Sequence, residues 1–372
     1  MIRVLYWTEL FWPHIGGIEI FSLQLISALQ AQGYEFAVVT SHSNLNLPDQ
    51  TEYNGVPICR FHFRTSLRES NLKHLAAVRQ ELAIFKQTFK PDLVHLHFSG
   101  PSPFFHLKTA SAHTSPTLIT VHSMLTDTPG NNSLLTQSLR SASWVNAISE
   151  KMLRYLRRQV PEISLCSSVI YNGLKMPSSQ LEAVSFDPPY LLCLGRLINL
   201  KGFDLAIAAF SELRRRFPNS RLIIAGDGPA RPDLERQSNA LGLTDVVDFL
   251  GLVDPGNIPE LMNKTTIVLV PSRPGDSFPL VAIQAAQMAR PLVAARVGGL
   301  PELIMHRQTG LLIEEENIEE LVEAVTFLLE NPERAVRYGQ AGRKQAQELF
   351  SLDKCVNAYD VLYRKLSGNL IS

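Results

Sequence analysis

The sequence predicts an α/β protein built from two open, parallel-sheet units. Three observations lead there. Short apolar runs alternate with segments of helical period, the alternation halts between Tyr171 and Tyr190, and the same rhythm then restarts. Strands separated by helices imply crossover connections and a parallel sheet covered on both faces. At roughly 150 residues per domain, a chain of 372 residues accommodates two such units.

The elements follow in order. Ile2–Trp7 reads as a buried strand and Gly17–Gln32 as an amphipathic helix, with Ile20, Leu23, Ile26 and Leu29 on one side. Glu35–Thr40 is strand-like, Leu72–Phe89 has helical spacing, and Asp92–His97, Leu118–His122 and Trp144–Ile148 are further strands. Over residues 150–160, Lys151, Arg154, Arg157 and Arg158 oppose Met152, Leu153, Leu156 and Val160. Such a basic amphipathic segment could make peripheral contact with anionic lipid, although a solvated helix face is the plainer reading. Asn172-Gly-Leu-Lys-Met-Pro-Ser-Ser, with Asp187-Pro-Pro after it, has turn chemistry and places a boundary near residue 180.

Beyond the boundary come strand Tyr190–Leu194, helix Gly202–Phe217, strand Arg221–Ala225, a helix near Ala230–Leu241 and strand Val246–Leu250. Strand Ile267–Val270, helix Leu280–Met288, strand Leu292–Ala295 and an acidic helix Ile318–Leu329 continue the pattern. Two helices, Glu333–Phe350 and Leu352–Leu366, end it. The expected division is therefore 1–180, 186–350 and a closing segment 351–372. In open α/β sheets ligands sit beyond the carboxyl ends of the strands, so the cleft between the units is the expected site.

Composition narrows the function classes. Thirty-five basic side chains balance 35 acidic ones, 45% of residues are hydrophobic, and mean hydropathy is +0.02. That is the profile of a well-packed soluble domain, without the basic excess of a nucleic-acid binder. Residues 1–185 carry 15 Lys and Arg against 12 Asp and Glu, the remainder 20 against 23, and nine of ten histidines fall at or before His122. Cys59, Cys166, Cys193 and Cys355 lie far apart with no CxxC pair, which fits reduced thiols in a cytoplasmic protein and neither a disulfide framework nor a zinc site. The first residues lack the apolar run of a signal peptide, and no segment reaches the ~18 apolar residues of a membrane span.

Five strand-end segments could carry chemistry. Pro13-His-Ile-Gly16-Gly17-Ile-Glu19 leads into the first helix, where close-approaching glycines and unpaired N–H groups suit a phosphate or a simple tight turn. Gly195-Arg196-Leu-Ile-Asn-Leu-Lys201-Gly202 puts two cations at a second such turn, able to clamp a diphosphate. Ala225-Gly226-Asp227-Gly228-Pro229 has a GxG, but Arg231 stands where a dinucleotide fingerprint needs glycine or alanine. In Pro271-Ser-Arg-Pro-Gly-Asp276-Ser277-Phe278-Pro279-Leu280, Pro279 suits the first helical position and Asp276 the cap region, with Gln284 about two turns further on a similar face. His122, with His95 and His97, ends a strand of the first unit; a structural hydrogen-bonded role is more natural for His95 than for His122.

Taken together these segments resemble glycosyltransferase family 4, the retaining glycosyltransferases of the GT-B fold. The resemblance runs nearly end to end: Gly16-Gly17, Thr120-Val-His122, Asn172-Gly173, Gly195-Arg196 with Lys201-Gly202, Gly226-Asp-Gly-Pro229, Phe249-Leu-Gly251, Pro271-Ser272, Val297-Gly298-Gly299-Leu-Pro301-Glu302 and Thr309-Gly310. It implies two Rossmann-like domains facing a central cleft, a nucleotide-diphospho-sugar donor held mainly by the second, and a glycan, lipid-linked or small-molecule acceptor on the first. It implies further that Arg196 and Lys201 neutralise the diphosphate, that the Gly16-Gly17 loop covers it, and that His122 contacts the donor sugar. Asp276 joins these as a catalytic candidate, and Gly195, Gly228, Ser277, Phe278, Pro279, Leu280 and Gln284 as donor contacts. The last helix is expected to cross back onto the first domain.

Physical chemistry supports the same expectation. Breaking a glycosyl–phosphate bond builds negative charge on the diphosphate, which fixed cations and helix N-termini stabilise without requiring a metal or another cofactor. A glycosidase-type carboxylate pair is not needed when the leaving group itself takes the acceptor's proton. A UDP-sugar is the first expectation for the donor and a GDP-sugar the second. The family's two signature glutamates, with seven residues between them, correspond here to Asp276 and Gln284, and Lys175 stands where an acid is frequent. Asp276 is one methylene shorter, and Gln284 loses the charge-assisted part of a hydrogen bond to a ribose diol. These replacements motivate an alternative reading, a catalytically weak nucleotide-sugar-binding homologue; a nucleotide-sugar epimerase on a similar two-domain fold is a further one.

Overall fold

The computed structural model describes residues 1–14, 16–43, 45–68, 72–123 and 133–368. The chain divides into two compact units, Met1–Asn172 with Leu352–Ser372, and Gly173–Ser351. The division falls at Asn172/Gly173 rather than near residue 180 because Leu174 is already tied to the second unit. Its N–H donates to Phe350 O (3.1 Å) and its carbonyl accepts from Gln287 Nε2 (2.8 Å).

The N-terminal unit holds eight strands: β1 (Arg3–Trp7), β2 (Glu35–Ser41), β3 (Gln50–Tyr53), β4 (Val56–Phe61), β5 (Leu93–Phe98), β6 (Thr117–Val121), β7 (Trp144–Ala147) and β8 (Ser167–Val169). Their order is β3-β4-β2-β1-β5-β6-β7-β8, parallel throughout except for the β3/β4 hairpin. Alternation sorts the central strands into two faces. Leu5, Trp7, Val94, Leu96, Ile119, Val121, Val145 and Ala147 join the apolar core with Leu82, Leu139 and Leu156 from the covering helices. Tyr6, His95, His97, Thr120 and Asn146 fill the opposite face and are buried.

That polar face is covered by helices Gly17–Gln30 and Leu352–Leu366. Tyr6 Oη donates to Ser22 Oγ at 2.7 Å; Tyr363 Oη lies 2.6 Å from His95 Nδ1; Asn146 Nδ2 donates to Tyr359 Oη at 3.1 Å. Tyr359 and Tyr363 are one helical turn apart and point the same way, which is how a single helix satisfies a buried polar strand face. The last helix thus belongs to the N-terminal unit.

Helix Glu150–Gln159 is amphipathic as expected, but Met152, Leu153, Leu156 and Val160 pack into the core. It has no free apolar face to lay on a lipid surface, which corrects the peripheral-membrane reading of residues 150–160. No helix among the described residues is long and apolar enough to cross a membrane. The four cysteines are unpaired.

The C-terminal unit has six parallel strands: β9 (Tyr190–Leu194), β10 (Arg221–Ala225), β11 (Val247–Gly251), β12 (Ile267–Val270), β13 (Leu292–Ala295) and β14 (Leu311–Ile313). The order β11-β10-β9-β12-β13-β14 is the doubly wound 3-2-1-4-5-6 arrangement. Strand order reverses between β9 and β12 here, and between β1 and β5 in the N-terminal unit. Ligand crevices open outside the carboxyl ends at such reversals.

Candidate active site

In the C-terminal unit the loops following β9, β10 and β12 meet at the carboxyl edge. Gly195 N donates to Ala225 O (2.9 Å), Leu197 N to Asp227 O (2.9 Å), and Arg273 N to Leu200 O (2.8 Å). Two glycines permit this lacing. A Cβ on Gly226 (φ +133°) would stand 1.9 Å from Gly195 O, and one on Gly202 (φ +65°) 1.9 Å from Pro271 O. Gly228 sits beside them, its N–H donating to Asp227 Oδ1 at 2.7 Å.

The lacing positions two cations. Arg196 is exposed, and its side chain makes no hydrogen bond or ion pair among the described residues. Lys201 ends a short 3-10 turn, Asn199–Lys201, and precedes helix Phe203–Arg216, whose N-cap Gly202 offers no side-chain cap. The first N–H groups of this 14-residue helix are therefore available for an anion. Arg273 braces the turn: it donates to Asn199 O (2.7 Å) and grips Asp204 with two bonds of 2.8 and 2.6 Å. That pairing drives the Arg273 guanidinium further above its ordinary range, with the Asp204 bond as the main cause.

Asp276 departs from the sequence reading. The helix begins at Leu280 with Pro279 as its cap, so Pro279 is not the first helical residue and Asp276 does not cap the helix. Instead Asp276, 8% exposed, accepts from Lys201 Nζ (2.8 Å) and from Ser272 Oγ (2.6 Å) on the same oxygen, Oδ2. Helical periodicity cannot relate Asp276 to Gln284, because four residues separate Asp276 from the helix start. Ser277 and Phe278 are buried against the loop after β13, where Gly299 N donates to Ser277 O at 2.6 Å. Leu280 and Gln284 are half-buried on the helix Leu280–Gln287.

In the N-terminal unit Gly16, with extended backbone, precedes helix Gly17–Gln30, again without a side-chain cap. A Cβ on Gly16 would meet Glu19 Oε2 at 2.2 Å, so glycine leaves room for the Glu19 carboxylate in the first turn. His122 follows β6 and is buried; its Nε2 lies 2.6 Å from His97 Nδ1, and the two rings stack at 4.8 Å. Burial holds His122 down to about 4, so the ring is neutral at physiological pH. His95 has both nitrogens engaged, by Tyr363 and Thr120, a structural role.

Sequence reasoning missed Glu9 at the end of β1. It is 5% exposed, accepts from Arg64 Nε (2.6 Å) and Ser102 Oγ (3.1 Å), and its carboxyl is raised above the usual range mainly by burial. Ser272, Arg273 and His97 were also missed as supports. Their partners lie 4, 69 and 25 residues away, and only the fold brings the last two together. The segment Ser41–Asn54, in the unit expected to hold the acceptor, contributes several walls of an open cavity of about 1470 Å³ within the N-terminal unit. The companion loop Thr126–Ser133 lies outside the described residues apart from Ser133.

Comparison with known proteins places this geometry. The family model described as "Glycosyl transferases group 1" matches residues 180–345, and that of "Glycosyltransferase Family 4" matches residues 15–176. Alpha-D-kanosaminyltransferase of Streptomyces kanamyceticus is 34% identical over 180 residues, 48% of this chain and 46% of that protein, so the match spans about half of each. An uncharacterised glycosyltransferase of Methanocaldococcus jannaschii is 26% identical over 376 residues, covering 96% of this chain and 97% of its own. Among solved structures, sucrose-phosphate synthase from Thermosynechococcus elongatus superposes with a TM-score of 0.85 at 23% identity over 100% of both chains. Anabaena HepE in complex with UDP-glucose follows with 0.75 at 20% identity, covering 98% of this chain and 100% of its own. With both halves matched and the fold shared end to end, the chain belongs to glycosyltransferase family 4 and is a glycosyltransferase of the GT-B fold.

Proposed function

We propose that this glycosyltransferase uses a nucleotide-diphospho-sugar, a UDP-sugar first and a GDP-sugar second, and forms an α-linkage with retention on an acceptor held by the N-terminal unit. The observation that carries the proposal is the pair Arg196 and Lys201 beside the uncapped helix start at Gly202, at the strand-order reversal of the C-terminal sheet. That is where a diphosphate finds fixed positive charge. The HepE complex holds UDP-glucose on the same fold, which supports the order of donors.

In this reading the bond from the sugar's anomeric carbon to the diphosphate oxygen breaks, and its electron pair stays on the diphosphate. Arg196, Lys201 and the helix N–H groups stabilise the charge that develops there. The acceptor hydroxyl oxygen bonds to the anomeric carbon on the face the leaving group vacates, and the hydroxyl proton passes to the departing diphosphate oxygen. His122, whose Nδ1 has no hydrogen-bond partner among the described residues, is the proposed contact to the sugar hydroxyls. The two cations carry the charge compensation, so the reaction is proposed to be metal-independent, and its setting cytoplasmic, in keeping with the unpaired cysteines.

The test is a panel of UDP- and GDP-sugars offered to chelator-treated protein with glycan, lipid-linked and small-molecule acceptors, reading nucleotide release and product anomeric configuration. Acceptor-dependent release with an α-product is expected. Tight nucleotide binding without turnover would identify a binding homologue instead, the alternative that the Asp276–Lys201 pairing favours because it engages a diphosphate cation. An isomerised nucleotide sugar formed without acceptor would identify an epimerase.

A further inference from the structure

The cavity of about 1470 Å³ in the N-terminal unit is amphipathic in a specific way. Its lining includes the apolar side chains of Leu45, Leu47 and Leu67, of which Leu45 is 47% and Leu67 39% exposed. Large apolar side chains gathered around one opening, rather than scattered, mark a surface that takes an apolar ligand. The same lining includes the basic and imidazole side chains of Arg64, Arg68, His14 and His42.

Charge accounting shows what that polar set lacks. Among the described residues the nearby carboxylates Asp49 and Glu9 are already engaged, Asp49 by His42 Nε2 at 2.8 Å and Glu9 by Arg64 at 2.6 Å. Behind the wall Arg60, 4% exposed, donates only to carbonyl oxygens, Trp12 O at 2.8 Å and Pro48 O at 3.1 Å. Among the described residues no carboxylate neutralises it. Its charge reaches both His14 and His42, where, after burial, it is one of the influences disfavouring protonation. His14 Nε2 is buried without a hydrogen-bond partner among the described residues. A buried, uncompensated guanidinium behind a wall that holds an unpartnered imidazole nitrogen and a further arginine is a site for an anion.

We propose that this cavity binds an acceptor that is an anionic amphiphile, a phosphate-bearing head joined to an apolar chain. The head sits by His14 and Arg68 in the field of Arg60, and the chain lies along Leu45, Leu47 and Leu67. This narrows the acceptor class and rests on the reading of the N-terminal unit as the acceptor side. A phosphate on a soluble metabolite would satisfy the cations equally, but it leaves the leucines facing water.

Calorimetric titration of the full chain with farnesyl phosphate, farnesol and inorganic phosphate separates these sources. Farnesyl phosphate is expected to bind at least tenfold more tightly than either of the others. Arg68→Ala and His14→Ala should each weaken it about fivefold to tenfold, and Leu45→Ser with Leu67→Ser should weaken it comparably. All variants should retain the wild-type circular dichroism and bind UDP normally. Equal affinity for farnesol would reduce the cavity to an apolar groove and overturn the proposal. Inorganic phosphate binding as tightly as farnesyl phosphate would overturn it in favour of a small-anion site, and variants that titrate like wild type would place the ligand elsewhere. UDP binding in the same samples tests the donor reading separately: its loss with farnesyl phosphate binding intact would fault that reading alone.

Discussion

Lys201 Nζ stands 2.8 Å from Asp276 Oδ2, and that same oxygen accepts the Ser272 hydroxyl at 2.6 Å. The cation best placed for a diphosphate is thus held by a largely buried carboxylate, whereas Arg196 is exposed and carries no partner among the described residues. The Asp276 carboxylate is turned to Lys201 and Ser272. The pairing fixes where Lys201 points and also sets a competitor against the donor's phosphate.

This asymmetry separates two otherwise similar variants. Arg196→Ala and Lys201→Ala should each lower kcat by about 100-fold, the scale of a removed charge-stabilising donor. Only Lys201→Ala leaves Asp276 buried without its cation, held by the Ser272 hydroxyl, which costs about 1–3 kcal/mol once the partial exposure of the lysine is allowed for. Its melting temperature should fall by several degrees while that of Arg196→Ala stays put. Steady-state kinetics beside thermal melts check both halves. Unchanged turnover in both variants would remove the diphosphate clamp.

Gln284→Glu restores a carboxylate on the helix Leu280–Gln287. If Gln284 faces the ribose diol of the donor, the charged acceptor should strengthen those hydrogen bonds by about 1 kcal/mol, roughly fivefold in affinity. Titration with UDP and with a UDP-sugar reads the change. An unchanged Kd for both would take Gln284 out of the donor site.

Much of this arrangement was legible in the sequence, for a physical reason. Parallel strands covered on both faces read as unbroken apolar runs, so β1, β9, β10, β12 and β13 declared themselves. The misses are the β3/β4 hairpin and the short edge strands β8 and β14. β3, Gln50-Thr-Glu-Tyr53, is polar and half-exposed, β4 is interrupted by Pro57 and Arg60, and β8 and β14 have three residues each, too short to stand out even though β14 is wholly apolar. One signal could have found the hairpin: Asn54 (φ 51°) and Gly55 (φ 75°) form the Asn-Gly turn that joins β3 to β4. At the site, the glycines and cations were visible because a loop motif is local. The pairing of His97 with His122 was not, because it depends on β5 lying beside β6 in the register that sets His97 opposite Thr120.

That pairing carries a prediction for His97 as a positioning residue. With Nε2 of His122 committed to His97, Nδ1 is the atom left for a ligand, and the hydrogen bond selects the tautomer that presents it. His97→Ala should lower kcat about tenfold with little change in donor KM, while His97→Gln, which can still hydrogen-bond, recovers part of the loss. Nitrogen-15 chemical shifts of His122 should show one dominant tautomer in the wild type and a mixture in His97→Ala. The same single tautomer in both proteins would leave His97 with a packing role only.

The buried histidines make a last prediction, about acid. Burial holds His113 and His122 down to about 4, and it is also the first cause lowering His95, His97 and His106. In the unfolded chain each returns to about 6.5, so between roughly 4 and 6.5 the unfolded state binds more protons and folding stability falls as pH falls. Glu9 works the other way, since its raised carboxyl relieves some strain on acidification, but it is one group against five. His122 alone would forfeit about 3 kcal/mol across that window. All five histidines lie in the N-terminal unit, as do the chain's three tryptophans, Trp7, Trp12 and Trp144. Tryptophan fluorescence therefore reports that unit alone, and its urea midpoint should drop between pH 7.5 and pH 5 by more than the circular dichroism signal dominated by both units. A fluorescence midpoint that holds steady or rises over this interval would show that these histidines accept protons without unfolding their face of the sheet.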